Sequence, residues 1–148
     1  MYPLAIAVFA VTMLLSMMNN ANTHRVTSAA GVVADVDAAN FWSYRLAVSS
    51  YVYANPGTTG TVPDSVLSFP LGYIRNQAWS NQVSGGVLYT YSVAALPAGA
   101  VAAIAQRGGL AMTVGTAKGG VMTSYTNAAT GFTLPSGIAG GAIVVIGN

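Results

Sequence analysis

The sequence contains no cysteine and no glutamate, and it has only one histidine and three aspartates. Without cysteine the chain forms no disulfide and offers neither a thiolate nucleophile nor a cysteine-ligated metal site. His24 precedes Asp35 by eleven residues, about 16 Å along a helix, which is too far for a catalytic dyad. We therefore expect no catalytic residues, no metal and no cofactor.

Charge is scarce as well. Charged residues make up 5% of the chain, against about 25% in a typical soluble domain, whereas 53% of the residues are hydrophobic. The five cations stand singly, so the net charge of +2 does not form the basic patch that nucleic acid requires. A chain without a charged coat is expected to lie against a membrane or against other proteins.

One apolar stretch runs from Pro3 to Met18 without a charged residue. Sixteen helical residues span roughly 24 Å, close to the thickness of a hydrocarbon core of about 30 Å. We interpret residues 1–20 as an uncleaved transmembrane anchor. A cleaved signal and a soluble core helix are the alternatives. A signal would need a basic start and a small-residue cleavage site, and this stretch has neither. The apolar side chains of the predicted anchor are Leu4, Ile6, Val8, Phe9, Val11, Leu14 and Leu15.

The remainder, residues 21–148, is predicted to form one extracytoplasmic domain. Arg25, beside the anchor, weakly favours a cytoplasmic body, but a composition poor in Lys and Glu and rich in Gly, Ser, Thr and Asn favours the outside. Apolar residues three or four apart, with one gap that falls on Asp37, predict a long helix over about 23–54. It is either capped by Asn22 or Thr23 or continuous with the anchor. These residues are Val26, Ala30, Val33, Phe41, Tyr44, Val48 and Tyr51.

Residues 55–84 begin with the helix-stopping sequence Asn55-Pro56-Gly57 and are predicted to be a long loop. Such a loop often marks a contact surface, although a missed short strand explains it equally well.

The segment 85–148 is organised by four Gly-Gly pairs, each followed by a strand-like run. Residues 87–93 alternate apolar and polar side chains, whereas residues 142–146 are apolar throughout and fit a central strand. A short helix is predicted before Gly108, with Arg107 in its last turn. A hairpin is predicted around Gly115-Thr116-Ala117-Lys118. The fold class is therefore α+β, with an antiparallel sheet of about four strands.

Aromatic residues crowd the end of the long helix and the loop. Most are expected to pack on the sheet, and a share is expected to contact a partner. Of two nearby acids, Asp37 interrupts the apolar stripe, so we expect it to pair with a cation or to face a groove, with Asp35 solvated. The candidate interface residues are Phe41, Trp42, Tyr44, Tyr51, Tyr53 and Trp79.

A family resemblance covers the whole chain. The N-terminal MYPLAIAVFAVTML, the Gly/Ser/Thr-rich body and the closing GGAIVVIGN resemble the PilM family of small inner-membrane proteins of type IVb conjugative thin pili. The resemblance implies a structural component of the pilus base or of the pilin-transport apparatus, with a single membrane pass and its body in the periplasm. It implies other pilus-assembly proteins or pilin as partners and assigns no catalytic residues.

Three further expectations stay open at this point. Self-association is plausible, since a helix with few charges can pack against its twin. The plan of a long apolar helix followed by an antiparallel sheet also fits a minor pilin, although the pilin-like motif at Gly131-Phe132 lies only sixteen residues from the end. A secreted binding module released after signal cleavage is the third.

Overall fold

The computed structural model describes residues 2–97 and 99–147, and within the first 28 residues it gives the backbone together with the side chains of residues 12, 13, 15 and 16. It is an α+β fold in which one long helix and one short helix cover a six-stranded antiparallel sheet. The helices are α1 (Tyr2–Ala54) and α2 (Ala100–Arg107), and the strands are β1 (Trp79–Ser84), β2 (Val87–Ser92), β3 (Val114–Lys118), β4 (Val121–Ser124), β5 (Ala129–Thr133) and β6 (Ile143–Ile146).

The first helix is continuous from Tyr2 to Ala54. Of the two alternatives for its start, the structure therefore has the one in which the long helix continues from the anchor segment. No proline interrupts it between Pro3 and Pro56, and Gly31 costs only about 1 kcal/mol relative to alanine. At 1.5 Å per residue its length is about 80 Å. Within the part of the chain whose side chains the structure describes, no helix is both long and apolar enough to cross a membrane.

The sheet has the strand order β1-β2-β6-β3-β4-β5, with antiparallel pairing throughout. The central β6 is buried on both faces, as the apolar run predicts. One face packs on the helices through Val114, Ile143 and Val145. The other face is covered by the segment that returns from β5 to β6, which buries Leu134 and Ala142 and packs Ile138 on this second core.

Two of the Gly-Gly pairs form the hairpin turns. Gly85-Gly86 and Gly119-Gly120 connect consecutive antiparallel strands, and all four glycines have φ between 59° and 79°. This backbone is the type I′ turn whose twist matches that of the strands. The predicted hairpin connection at 115–118 is wrong by position, because those residues belong to β3 and the turn follows them.

The prediction of about four strands is also corrected. The first additional strand, β1, lies in residues predicted as loop; its inward side chains are Trp79, Asn81 and Val83, and a buried asparagine breaks the apolar alternation. The second, β5, is an edge strand whose residues are almost all exposed, so burial leaves no pattern in its sequence.

Candidate partner-binding groove

A groove runs between α1 and the segment 70–77. Its volume is about 850 Å³, and its floor is formed by one side of α1 from Val36 to Ser43. The opposite wall carries Leu71 and Ile74, whose side chains are 107% and 81% exposed. Large apolar side chains that face solvent on both sides of a cleft are the surface feature that marks protein contact sites.

Asn40 fixes the wall of this groove to the helix. Its Nδ2 donates a hydrogen bond to the carbonyl oxygen of Ile74 at 2.8 Å. Its Oδ1 accepts from the indole Nε1 of Trp79 at 2.8 Å and from the Tyr73 hydroxyl at 3.2 Å. A single side chain thus ties segment 70–77 and strand β1 to α1.

Arg75 holds the same segment from its other end. Its Nε donates to Asp64 Oδ2 at 2.5 Å, its Nη2 donates to the Trp79 carbonyl oxygen at 2.7 Å, and its Nη1 donates to the carbonyl oxygen of Asn76. The guanidinium lies over the Tyr44 ring, 4.3 Å from its centroid, a favourable cation–π geometry. The positive charge of the wall is therefore turned inward and neutralised.

Stacked aromatic rings brace the groove from behind. The Phe69 ring stacks on Tyr73, with centroids 4.5 Å apart, and on Tyr44, with centroids 6.3 Å apart. Burial raises the pKa of both Tyr44 and Tyr73 above their ordinary value, so both hydroxyls stay protonated at physiological pH. The Tyr73 hydroxyl donates to Asn40 Oδ1, and the Tyr44 hydroxyl accepts from Asn81 Nδ2. The wall is consequently held in one arrangement before any partner arrives.

Asp37 lines the groove, which is the second of the two alternatives expected for it. Of the three acids in the chain, Asp64 is paired with Arg75, and Asp35 is not merely solvated but pairs with Arg107 of α2 at 2.9 Å. Asp37 forms no ion pair with the described residues. The groove is apolar with one unneutralised carboxylate.

The six aromatic residues predicted as an interface fall into three groups. Phe41, Tyr44 and Trp79 are fully buried in the core, and Trp42 and Tyr51 pack against it. Trp42 also donates its indole N–H to the Ile104 carbonyl oxygen at 3.0 Å. Tyr53 is 90% exposed and lies on α1 outside the groove. Five of the six rings therefore lie in or against the core between the helices and the sheet, in line with the expectation that most of them serve packing.

The predicted stripe on α1 shows the same division. Phe41, Tyr44 and Val48 are buried, but Val33 is 49% exposed and Ala30 is exposed. The groove residues Val36, Leu71 and Ile74 were not predicted individually, and the available signal was the long predicted loop over residues 55–84, which was expected to mark a contact surface. Of the predicted anchor, Leu15 is 61% exposed, and the other side chains, those of Leu4, Ile6, Val8, Phe9, Val11 and Leu14, lie outside the described residues.

A second half-buried cation lies between α1 and the sheet. Arg45 donates to the carbonyl oxygens of Gly147 at 2.7 Å and Val145 at 3.3 Å, and its guanidinium lies 5.7 Å from the Trp42 ring centroid. Burial lowers the pKa of Arg45 to about 10, which still leaves it charged at neutral pH. Its partners are backbone carbonyls at the end of β6, so we assign it to holding that strand rather than to a binding site.

The described residues contain no group of three or more His, Cys, Asp or Glu side chains that could hold a metal ion. The Gly-Gly pairs, which could also suggest a phosphate loop, lie in turns or beside strand and helix ends. The groove, with its apolar walls and single acid, is suited to binding a protein segment.

The groove has the surface features of a protein-binding site, and comparison with known proteins identifies the family of the chain. The PilM sequence model matches residues 8–146. The chain therefore belongs to the PilM family, and this membership indicates a part in pilus assembly.

Two crystal structures are similar to the chain. A PilM protein from Escherichia coli superposes with a TM-score of 0.60 at 18% identity, over 78% of this chain and 92% of that one, which supports the fold. A PilM protein from Pseudomonas aeruginosa is 29% identical over 78% of this chain and 95% of its own, with a TM-score of 0.47. No curated protein matches the chain.

Proposed function

We propose that this chain is a non-enzymatic structural component of a type IVb pilus assembly of the conjugative thin-pilus kind, acting at the pilus base or in pilin transport. The proposal rests on one observation above the others: a PilM-family chain carries a preformed apolar groove. Its partners would be other pilus-assembly proteins or pilin, and the groove is where a partner would dock.

In this proposal residues 1–20 hold the chain in the bacterial inner membrane by a single pass, with the body in the periplasm. Support comes from the uncharged, apolar sequence from Pro3 to Met18 and from the helical backbone of that segment. A low content of charged residues in the rest of the chain suits a protein enclosed by neighbours.

The chemistry of the groove also describes the partner segment. Val36, Leu71 and Ile74 offer apolar contacts, and Asp37 offers a half-buried carboxylate. A segment with apolar side chains and one Lys or Arg would complement both features, because an unpaired charge enclosed by an interface is costly.

The groove can be tested by site-specific photo-crosslinking in cells that produce the pilus. A photo-reactive residue in place of Leu71 should crosslink to an identified pilus-assembly protein or to pilin. The matched control is Val93, an exposed apolar residue outside the groove. Adducts of the same kind and amount at both positions would refute the groove as the docking site.

Membrane attachment has a separate test. We expect the full-length chain to stay in the membrane fraction after carbonate extraction and its intact mass to include residues 1–20. If the protein is wholly soluble, or if its intact mass shows that the mature chain begins after Asn20, a binding module released after signal cleavage would be supported instead.

A minor pilin-like subunit is the second candidate. It is favoured by the continuous helix of Tyr2–Ala54, which leads into an antiparallel sheet. This candidate requires the chain to be present in sheared and purified filaments; its absence there, together with its presence in the cell envelope, favours the assembly component.

A further inference from the structure

The first helix projects beyond the body of the protein. Among the described side chains of α1, Ala34 is the first that is buried, and from there Ala38 and Phe41 lie in the core. Before Ala34 the structure describes nine side chains of this helix, and all nine are exposed. Where its side chains are described, the part of α1 before Ala34 is therefore not covered by the rest of the chain.

The projecting part of α1 is joined rigidly to the body. The helix is uninterrupted from Tyr2 to Ala54, and no proline lies between Pro3 and Pro56. Sharp bends in helices usually require a proline or an interruption of the hydrogen-bond ladder. Because the same helix supplies part of the core, the body and the projecting part move as one piece.

The proposed membrane anchor divides this helix into three lengths. With residues 1–20 in the bilayer, residues 21–33 span about 20 Å between the hydrocarbon core and the body. The groove floor begins at Val36 and ends at Ser43, which are 16 and 23 residues beyond Asn20. The floor therefore lies about 24–35 Å from the hydrocarbon core. A tilt of about 20°, the average for membrane helices, shortens these distances by only about 6%.

The wall of the groove lies at the same level as its floor. The Ile74 carbonyl oxygen accepts the hydrogen bond from Asn40 Nδ2 at 2.8 Å, so Ile74 is held at the height of Asn40. Asn40 is twenty residues beyond Asn20, which corresponds to about 30 Å of helix. The exposed Val32 is only twelve residues beyond Asn20, or about 18 Å.

We propose that α1 is a strut that holds the groove about 24–35 Å above the hydrocarbon core, so that the groove binds a partner segment presented at that height. This inference rests on the proposed function, from which it takes both the anchor and the groove. An extended chain covers at most about 3.6 Å per residue, so a loop that rises from the membrane to the groove needs about seven residues in each direction. The partner is therefore a protein with a periplasmic domain, or with a periplasmic loop of at least about fourteen residues.

The first experiment measures the height without a partner. Because the chain has no cysteine, Ile74→Cys and Val32→Cys can each be labelled with a fluorescent donor. Each labelled full-length chain is reconstituted into phosphatidylcholine vesicles that contain acceptor-labelled headgroups, and energy transfer gives the distance of closest approach between donor and lipid surface.

We expect the label at Ile74 to lie about 12 Å farther from the lipid surface than the label at Val32. Equal distances, as for a helix that lies along the membrane, would overturn the strut. Absence of energy transfer at both positions would refute the anchor, and the strut with it.

The second experiment changes the height in cells that produce the pilus. A helical heptad of alanine, glutamate and lysine, inserted after Ser28, raises the groove by about 10 Å and rotates the body by only about 20°. The matched control is a glycine–serine heptad at the same position, which is flexible and allows the body to return to its native height. We expect the helical heptad to abolish the adduct formed by a photo-reactive residue at Leu71, and the glycine–serine heptad to retain it.

The strut and the docking site fail in different ways. If the adduct at Leu71 forms in the native chain and persists with the helical heptad, or is lost with both heptads, the groove stands and the strut is refuted. If no adduct forms in the native chain, the docking site fails, whereas the energy-transfer distances still test the strut. Both insertions lie before Ala34, outside the buried core, so the Tm of each variant should match that of the native chain.

Discussion

Asn40 is the side chain on which the shape of the groove depends most, so its removal is the sharpest test of the structure. Asn40→Ala deletes three hydrogen bonds, to Trp79, Tyr73 and the Ile74 carbonyl. The Trp79 side chain is 1% exposed, so its indole N–H would be left unpaired away from water, which costs about 1–3 kcal/mol. The other two bonds add about 0.5–1.5 kcal/mol each.

We therefore expect Asn40→Ala to lower the free energy of unfolding by about 2–4 kcal/mol, since the three contributions overlap. At roughly 2–4 °C per kcal/mol for a domain of this size, Tm should fall by roughly 5–15 °C. Urea and thermal unfolding followed by circular dichroism measure both quantities. Gln77→Ala, at an exposed position of the same segment, is the matched control and should change stability by less than about 0.5 kcal/mol.

Two further readouts separate the hydrogen bonds from general damage. In a double-mutant cycle with Trp79→Phe, which removes the same indole donor, the two substitutions should couple by about 1 kcal/mol. Arg75 is the one basic residue between Arg45 and Arg107, so trypsin should cleave after it faster in Asn40→Ala than in the native chain. A stability change below about 0.5 kcal/mol, or additive substitutions, would refute the role given to Asn40.

Three other predictions follow from buried contacts. Gly115→Ala should destabilise the fold by at least about 2 kcal/mol, because the new Cβ would lie 1.9 Å from the Thr123 carbonyl oxygen. Gly31→Ala, whose new Cβ would meet no neighbouring atom within 4 Å, should be neutral or stabilising by up to about 1 kcal/mol. Urea unfolding compares the two variants, and equal effects would contradict the strand packing. Arg45→Ala should cost about 2–4 kcal/mol, since the carbonyls of Val145 and Gly147 lose a charged donor, and unchanged hydrogen exchange in β6 would argue against this role. Burial raises the pKa of Tyr44, so as the pH rises the unfolded chain loses the Tyr44 proton before the folded chain does. The contribution of Tyr44 to folding stability is therefore present below pH 10 and falls above it. The stability difference between the native chain and Tyr44→Phe should shrink between pH 9 and pH 11, and a constant difference would contradict the burial.

The sequence alone determined the class of the fold because its signals are local. A long run free of proline and broken by Asn55-Pro56-Gly57 specifies a helix that ends at Ala54. Glycine pairs beside alternating apolar residues specify strands and turns, and an uninterrupted apolar run specifies the central strand β6. The same local signals carried the family resemblance.

Only the tertiary structure decided the edges of the sheet and the groove. Strand β1 places Asn81 in the core, where burying its polar side chain is unfavourable. Distant groups offset this, because Asn81 forms hydrogen bonds with the Tyr44 hydroxyl and with both backbone groups of Val62. The groove depends likewise on bonds from Asn40 to residues more than thirty positions away. Which face of α1 meets the sheet and which remains open is set by these long-range contacts, because periodicity shows that a helix has a face but not what covers it.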